Sequence, residues 1–245
     1  MCAACASWPL HPRARPPNPV PKVKQGVDMS TITLVRHGQA NTTARDEADY
    51  DRLSALGHRQ AKWLGDHLRH TREHYSRVYT GSLTRHRETA ASMGFDADAA
   101  VDARLNELEF FTLAHALQAE HGVPLPATRE DFVGYMPRLM QAWADGRIEG
   151  APESFASFEK RISDALAEIA GGHGPALIIT SGGLIGMAVR QVMGLGIAAY
   201  ARTAIAIMNT SVHRLHPIGD ALALTQFNAV PHLDRPERQF AQTHL

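Results

Sequence analysis

Apolar residues follow two rhythms along this chain. Thr31–Arg36 (TITLVR), short and β-branched, and Ala176–Thr180 (ALIIT) predict buried strands, and Arg77–Thr80 predicts another short strand. Val212–Leu215 and Ala221–Phe227 predict two closing strands. Elsewhere the spacing is helical. Ser54 is a plausible N-cap for a helix to about residue 73, with Leu56, Trp63, Leu64 and Leu68 on one face. Thr84–Met93 predicts a second helix. From Ser154 to Ala170 the residues Phe155, Phe158, Ile162, Leu166 and Ile169 share one face of a third. Shorter helices are predicted at 184–193 and 199–206. Residues 39–52 read as loop, and 101–111 as extended or irregular. Two further helical candidates, 113–121 and 128–144, form an insertion placed to cover a site. Strand and helix in alternation predict an α/β fold: a three-layer α/β/α sandwich with a mostly parallel sheet of about six strands.

Composition changes the picture mainly at the amino terminus. Of 245 residues, 25 are Lys or Arg and 25 are Asp or Glu, so the formal net charge is zero. That average hides a split. Residues 1–28 hold Arg13, Arg15, Lys22 and Lys24 against one acid, Asp28, with six of the 14 prolines and both cysteines, Cys2 and Cys5. This stretch has neither period and reads as a disordered tail. Residues 29–245 read as one domain, thiol-free and mildly acidic, with 21 basic and 24 acidic residues. Such a charge balance argues against a broad nucleic-acid surface. No run of about 18 apolar residues marks a membrane span. A body without disulfides, and no secretory signal, point to the cytoplasm.

Three predicted strand ends carry the candidate chemistry, where open α/β sheets bind their ligands. The first ends in Arg36-His37-Gly38, the second leads through Gly81 to Arg85, and ALIIT ends in Ser181-Gly182-Gly183. Together these read as an anion site. Each guanidinium can grip two phosphate oxygens in a planar fork. Gly182, opening a helix, allows close backbone approach to the same anion. Between two cations, His37 is held neutral and available as a nucleophile. Glu107 is the candidate acid for the leaving oxygen.

The ordered segments TLVRHGQA, LSALGHRQA, YTGSLTRHRETA, RLNELEF and PESFASFEKRI resemble those of the histidine phosphatase superfamily, also called phosphoglycerate mutase-like. That resemblance implies a phosphohistidine on His37, phosphoryl clamps in Arg36 and Arg85, and Glu107 as acid and then base. It implies no metal and no organic cofactor. Its substrate would be a small phosphorylated metabolite or a phosphoprotein, chosen by the acid-rich segment 46–51 and the helices at 112–150. Gln39, Asn41 and Thr43 are candidate substrate contacts; family mutases have an asparagine where this chain has Thr43.

One departure is central. The family has a second histidine where this chain has Ser181. Charged hydrogen bonds contribute ~1.5–3 kcal/mol and neutral ones ~0.5–1.5. The deficit is on the order of 1–2 kcal/mol, or about 5–30-fold in rate. His86, His213 and His232 are candidates to fill the gap. The leading expectation is a metal-independent phosphomonoesterase. A 2,3-bisphosphoglycerate-dependent mutase is disfavoured, because Ser181 departs at its centre and the 46–51 acids would repel phosphoglycerate. A phosphate-binding pseudoenzyme is the alternative that Ser181 itself motivates.

Overall fold

A computed structural model describes residues 30–244; the proline-rich stretch 1–28, with Cys2 and Cys5, lies outside them. In chain order the elements are β1 (Ile32–Arg36), α1 (Glu47–Tyr50), α2 (Ala55–His70), β2 (Arg77–Thr80), α3 (Thr84–Met93) and β3 (Ala99–Val101). After them come α4 (Phe110–His121), α5 (Arg129–Ala144), α6 (Phe155–Ala170), β4 (Ala176–Thr180) and α7 (Gly182–Met193). The last are α8 (Ile197–Ala206), β5 (Val212–Ile218) and β6 (Ala221–Ala229).

Side chains that alternate across a strand build the layers. Ile32 and Leu34 of β1, with Ala176 and Ile178 of β4, pack against α6 and α7 in the larger core. Val35, Leu177 and Ile179 face the other way, onto Ala61, Leu64 and Leu68 of α2 and Ala90 and Met93 of α3. The face predicted for α2 therefore divides. Leu64 and Leu68 meet the sheet, whereas Leu56 and Trp63 join a satellite cluster with Val230, Leu233 and Ala241.

The sheet has six strands in the order β3-β2-β4-β1-β5-β6. Its first four strands run parallel, and β5 and β6 are antiparallel additions, so it is mixed. Register decides where function can sit. Arg36 lies opposite Thr180, and Thr80 opposite Ile179. The carboxyl ends of β1, β4 and β2 are therefore level, and the residues following each meet at one edge.

Caps fixed several boundaries. Ser54 and Ser154 each accept a backbone N–H from the first turn, and Thr128 closes a capping box with Asp131. Three expectations are corrected. Helix α7 begins at Gly182 rather than 184, because Ser181 is already its extended N-cap. The loop 39–52 contains α1, capped by Asp46. The irregular stretch from 101 encloses the end of β3, a short 3-10 turn at Ala103–Leu105, and the start of α4.

Candidate active site

The level strand ends open into a cavity of about 580 Å³ lined by Arg36, His37, Arg85, Glu107 and Gly182, among others. His37 follows β1 directly and is 2% exposed. Its Nδ1 lies 2.7 Å from the Gly38 carbonyl, which can only accept. The proton is thereby fixed on Nδ1, and Nε2 keeps its lone pair. Burial first, then the charges of Arg85 and Arg36, hold the His37 imidazole well below its ordinary pKa. A buried, neutral imidazole with one free nitrogen is the form a nucleophile needs.

The two arginines are held differently. Arg85, 3% exposed, meets Asp51 Oδ1 at 3.0 Å and lies over the Tyr50 ring, 5.1 Å from its centroid. Asp51 also accepts the backbone N–H groups of Thr84 and Arg85, so it fixes the start of α3 as well. Arg36, 9% exposed, donates to the carbonyls of Ile207 and His244 and has no carboxylate partner among the described residues. An unneutralised buried cation beside a cavity is expensive unless an anion joins it.

Glu107 reaches the cavity from the loop before α4. Its carboxylate accepts from Gly183 N at 2.8 Å and Leu108 N at 3.0 Å. Any Cβ at Gly183 would collide with Glu107 Oε1, so glycine is what permits this approach. Arg161 braces the loop, donating to the carbonyls of Arg104 and Asn106 while paired with Glu153 at 2.7 Å.

Not every candidate is brought to the cavity. Gln39 and Asn41 line it, but both are tied into the loop: Gln39 accepts from Ser54 Oγ, and Asn41 accepts from Thr43. Thr43 itself is exposed, bonds to Asn41, and is not among the lining residues. Ser181 is fully buried, and its hydroxyl lies 2.6 Å from His86 Nε2. His213 pairs with Ser211 and His232 with Thr210, and neither lines the cavity.

The 46–51 acids do not form a repelling field. Asp46 caps α1, Asp49 pairs with Arg52, and Asp51 with Arg85. Glu47 accepts Phe111 N–H, and burial raises its pKa. Electrostatic repulsion of phosphoglycerate thus loses its basis. Sequence reasoning also missed Tyr50, Asn209, Arg129 and His244 of the lining. Asn209 Nδ2 donates to the His37 carbonyl at 3.2 Å, and Arg129 Nη2 lies 2.5 Å from His244 Nε2. Glu47 of the lining and Asp51 beside Arg85 left a trace in the sequence, as acids within an acidic run.

Four histidines, at 37, 86, 213 and 232, are at most 2% exposed. Burial holds all four below the ordinary value of 6.5, His213 and His232 at about 3. Between about pH 6.5 and 3 the unfolded chain therefore binds protons that the folded chain refuses. This stability is fully present above pH 6.5 and is lost as pH falls, at about 1.4 kcal/mol per pH unit per proton. Urea unfolding should show a clearly lower midpoint at pH 5.5 than at 7.5. An unchanged midpoint would contradict burial of these rings in the neutral form.

Among the described residues no helix is long and apolar enough to cross a membrane. The sequence model of the histidine phosphatase superfamily, branch 1, matches residues 32–230. No curated protein sequence matches the chain. Solved structures do. A mutant phosphoserine phosphatase from Entamoeba histolytica, in complex with phosphoserine, has a TM-score of 0.63 at 18% identity, over 84% of this chain and 100% of that one. Phosphoglycerate mutase from Bacillus anthracis has a TM-score of 0.61 at 20% identity, over 84% and 96%. A mycobacterial glucosyl-3-phosphoglycerate phosphatase bound to VO3 has a TM-score of 0.59 at 24% identity, over 82% and 99%. These likenesses are of fold, and the match to the family model covers most of the chain: the protein belongs to the histidine phosphatase superfamily, branch 1.

Proposed function

We propose that the chain is a metal-independent phosphomonoesterase working through a phosphohistidine on His37. The observation that carries this reading is the pairing of a neutral His37, Nε2 free, with Arg36, a buried cation that lacks a carboxylate partner among the described residues. His37 Nε2 attacks phosphorus while the bond to the leaving oxygen breaks and Glu107 gives that oxygen its proton. Arg36 and Arg85 hold the phosphoryl oxygens through both steps. Water then attacks the phosphohistidine, Glu107 takes its proton, and the N–P electrons return to Nε2 as inorganic phosphate leaves.

Beyond the phosphoryl end the cavity is walled by Phe110, Phe111, Phe132, Met136, Met140 and Ile205. These come mainly from α4 and α5, the insertion foreseen over the site. Such a wall favours a bulky apolar alcohol over a small charged one, at ~25 cal/mol per Å² of apolar surface covered. Covering roughly 100 Å² more amounts to about 2.5 kcal/mol, or on the order of 50-fold. Naphthyl phosphate should therefore exceed 3-phosphoglycerate in kcat/KM by at least about tenfold, with no bisphosphate primer. Dependence on a primer would favour the mutase. Equal rates for wild type and His37→Ala on every ester would favour the phosphate-binding module.

A further inference from the structure

A second imidazole lies beside the nucleophile, outside the cavity lining, and it comes from α3 rather than from the end of β4. His86 Nε2 lies 2.6 Å from Ser181 Oγ, and both residues are 0% exposed. The ring of His86 packs beside that of His37, with centroids 5.8 Å apart and planes tilted by 34°. On another side the Tyr50 ring meets His37 edge-on at 6.3 Å. Room for His86 is made at the end of β2, where any Cβ on Gly81 would collide with His86 Nδ1.

We propose that His86 and Ser181 form a positioning pair: Ser181 anchors His86, and His86 fixes the plane of the nucleophilic ring. This rests on the phosphohistidine reading of His37. The assignment also changes the part played by Ser181. A sealed hydroxyl bonded to His86 does not contact the ester; it acts through the imidazole it holds. The hydrogen bond from Nδ1 to Gly38 sets which nitrogen of His37 is free, and the flanking rings set where that nitrogen points. Without His86 a void opens beside the nucleophile, and the ring can swing away from the line of attack. Phosphoryl binding depends on Arg36 and Arg85, so it should survive.

The test compares His86→Ala, His86→Gln, Ser181→Ala and the His86→Ala/Ser181→Ala double variant. Glutamine suits the repair because its terminal amide reaches the position of Nε2 and can either donate to or accept from Ser181. His86→Ala should lower kcat by about 100-fold, with KM and inhibition by inorganic phosphate within about threefold. His86→Gln should recover most of the loss. Ser181→Ala should cost about tenfold, and the double variant should be no slower than His86→Ala, as for residues acting as a unit. Additive losses, loss of phosphate inhibition, or a fall in thermal stability with kcat unchanged would each overturn the proposal. A second readout does not need turnover. The ring ¹⁵N shifts of His37 should report one tautomer, protonated at Nδ1, in wild type and an averaged signal in His86→Ala. Unchanged shifts would overturn the pair even if no ester is hydrolysed. Turnover no faster than His37→Ala, with the shifts behaving as expected, would instead fail the phosphatase reading and leave the pair standing.

Discussion

His37→Ala should lower the hydrolysis of an aryl phosphate by at least about 10⁴-fold while leaving inhibition by inorganic phosphate nearly intact. The two halves of this result come from separate groups. In the proposed mechanism the lone pair that attacks phosphorus belongs to His37 Nε2; among the described residues the other histidine lining the cavity, His244, is held at Nε2 by Arg129. In the same proposal phosphate is held by Arg36 and Arg85, whose own partners are Ile207, His244 and Asp51, none of which bonds to the substituted ring's free nitrogen. Steady-state rates and product-inhibition constants on the same two proteins check both halves. Loss of phosphate binding together with turnover would mean that His37 serves the pocket's shape rather than its chemistry.

Arg85→Ala should be nearly as damaging, by a different route. Removing one donor preorganised for a transition-state charge lowers kcat/KM by about 10²–10³-fold. KM should rise as well, because the ground-state phosphoryl group is held by the same fork. Stability should also fall. Asp51, 21% exposed, would lose its only cation among the described residues while staying bound to the amides that open α3. Breaking such a pair by removing one side costs about 3 kcal/mol. Arg85→Lys should recover stability better than activity, since an ammonium supplies the charge but not the planar fork. Rates together with urea midpoints separate these effects. A variant with normal kcat/KM would show that Arg36 alone clamps the phosphoryl group.

The parts of the fold readable from sequence were those fixed by local rules. The cap at Ser54 set one helix start, apolar faces at helical spacing set the span of α6, and short apolar runs rich in β-branched residues set β1 and β4. What escaped was too short or too ambiguous to have a period. Strand β3 has three residues, mostly exposed at a sheet edge, and α1 has four. Gly182-Gly183, read as opening a helix over 184–193, prove to be part of its first turn, where Gly183 N donates to Glu107.

The site divides along the same line. Arg36, His37 and Arg85 were legible because each ends, follows or closely neighbours a strand end, and a sheet edge gathers strand ends; Glu107 was legible as a carboxylate in a segment resembling the family's. Residues that act through pairing were not. Asp51 in sequence is a negative charge near others; only the fold turns it onto Arg85, 34 residues away. Ser181 looked like a gap in the site, and three distant histidines were equal candidates to fill it. The register of β2 against β4 decides among them, since it levels the start of α3 with Ser181 and so brings His86 to it.

In the proposed mechanism every phosphoryl group passes through His37. Acid-sensitive, alkali-stable label trapped on the protein during turnover, then mapped by peptide mass spectrometry, tests it most directly. One phosphoryl group per active chain, on His37 and absent from His37→Ala, is the expected outcome. Turnover with no trapped label, or with label on Ser181, would contradict it.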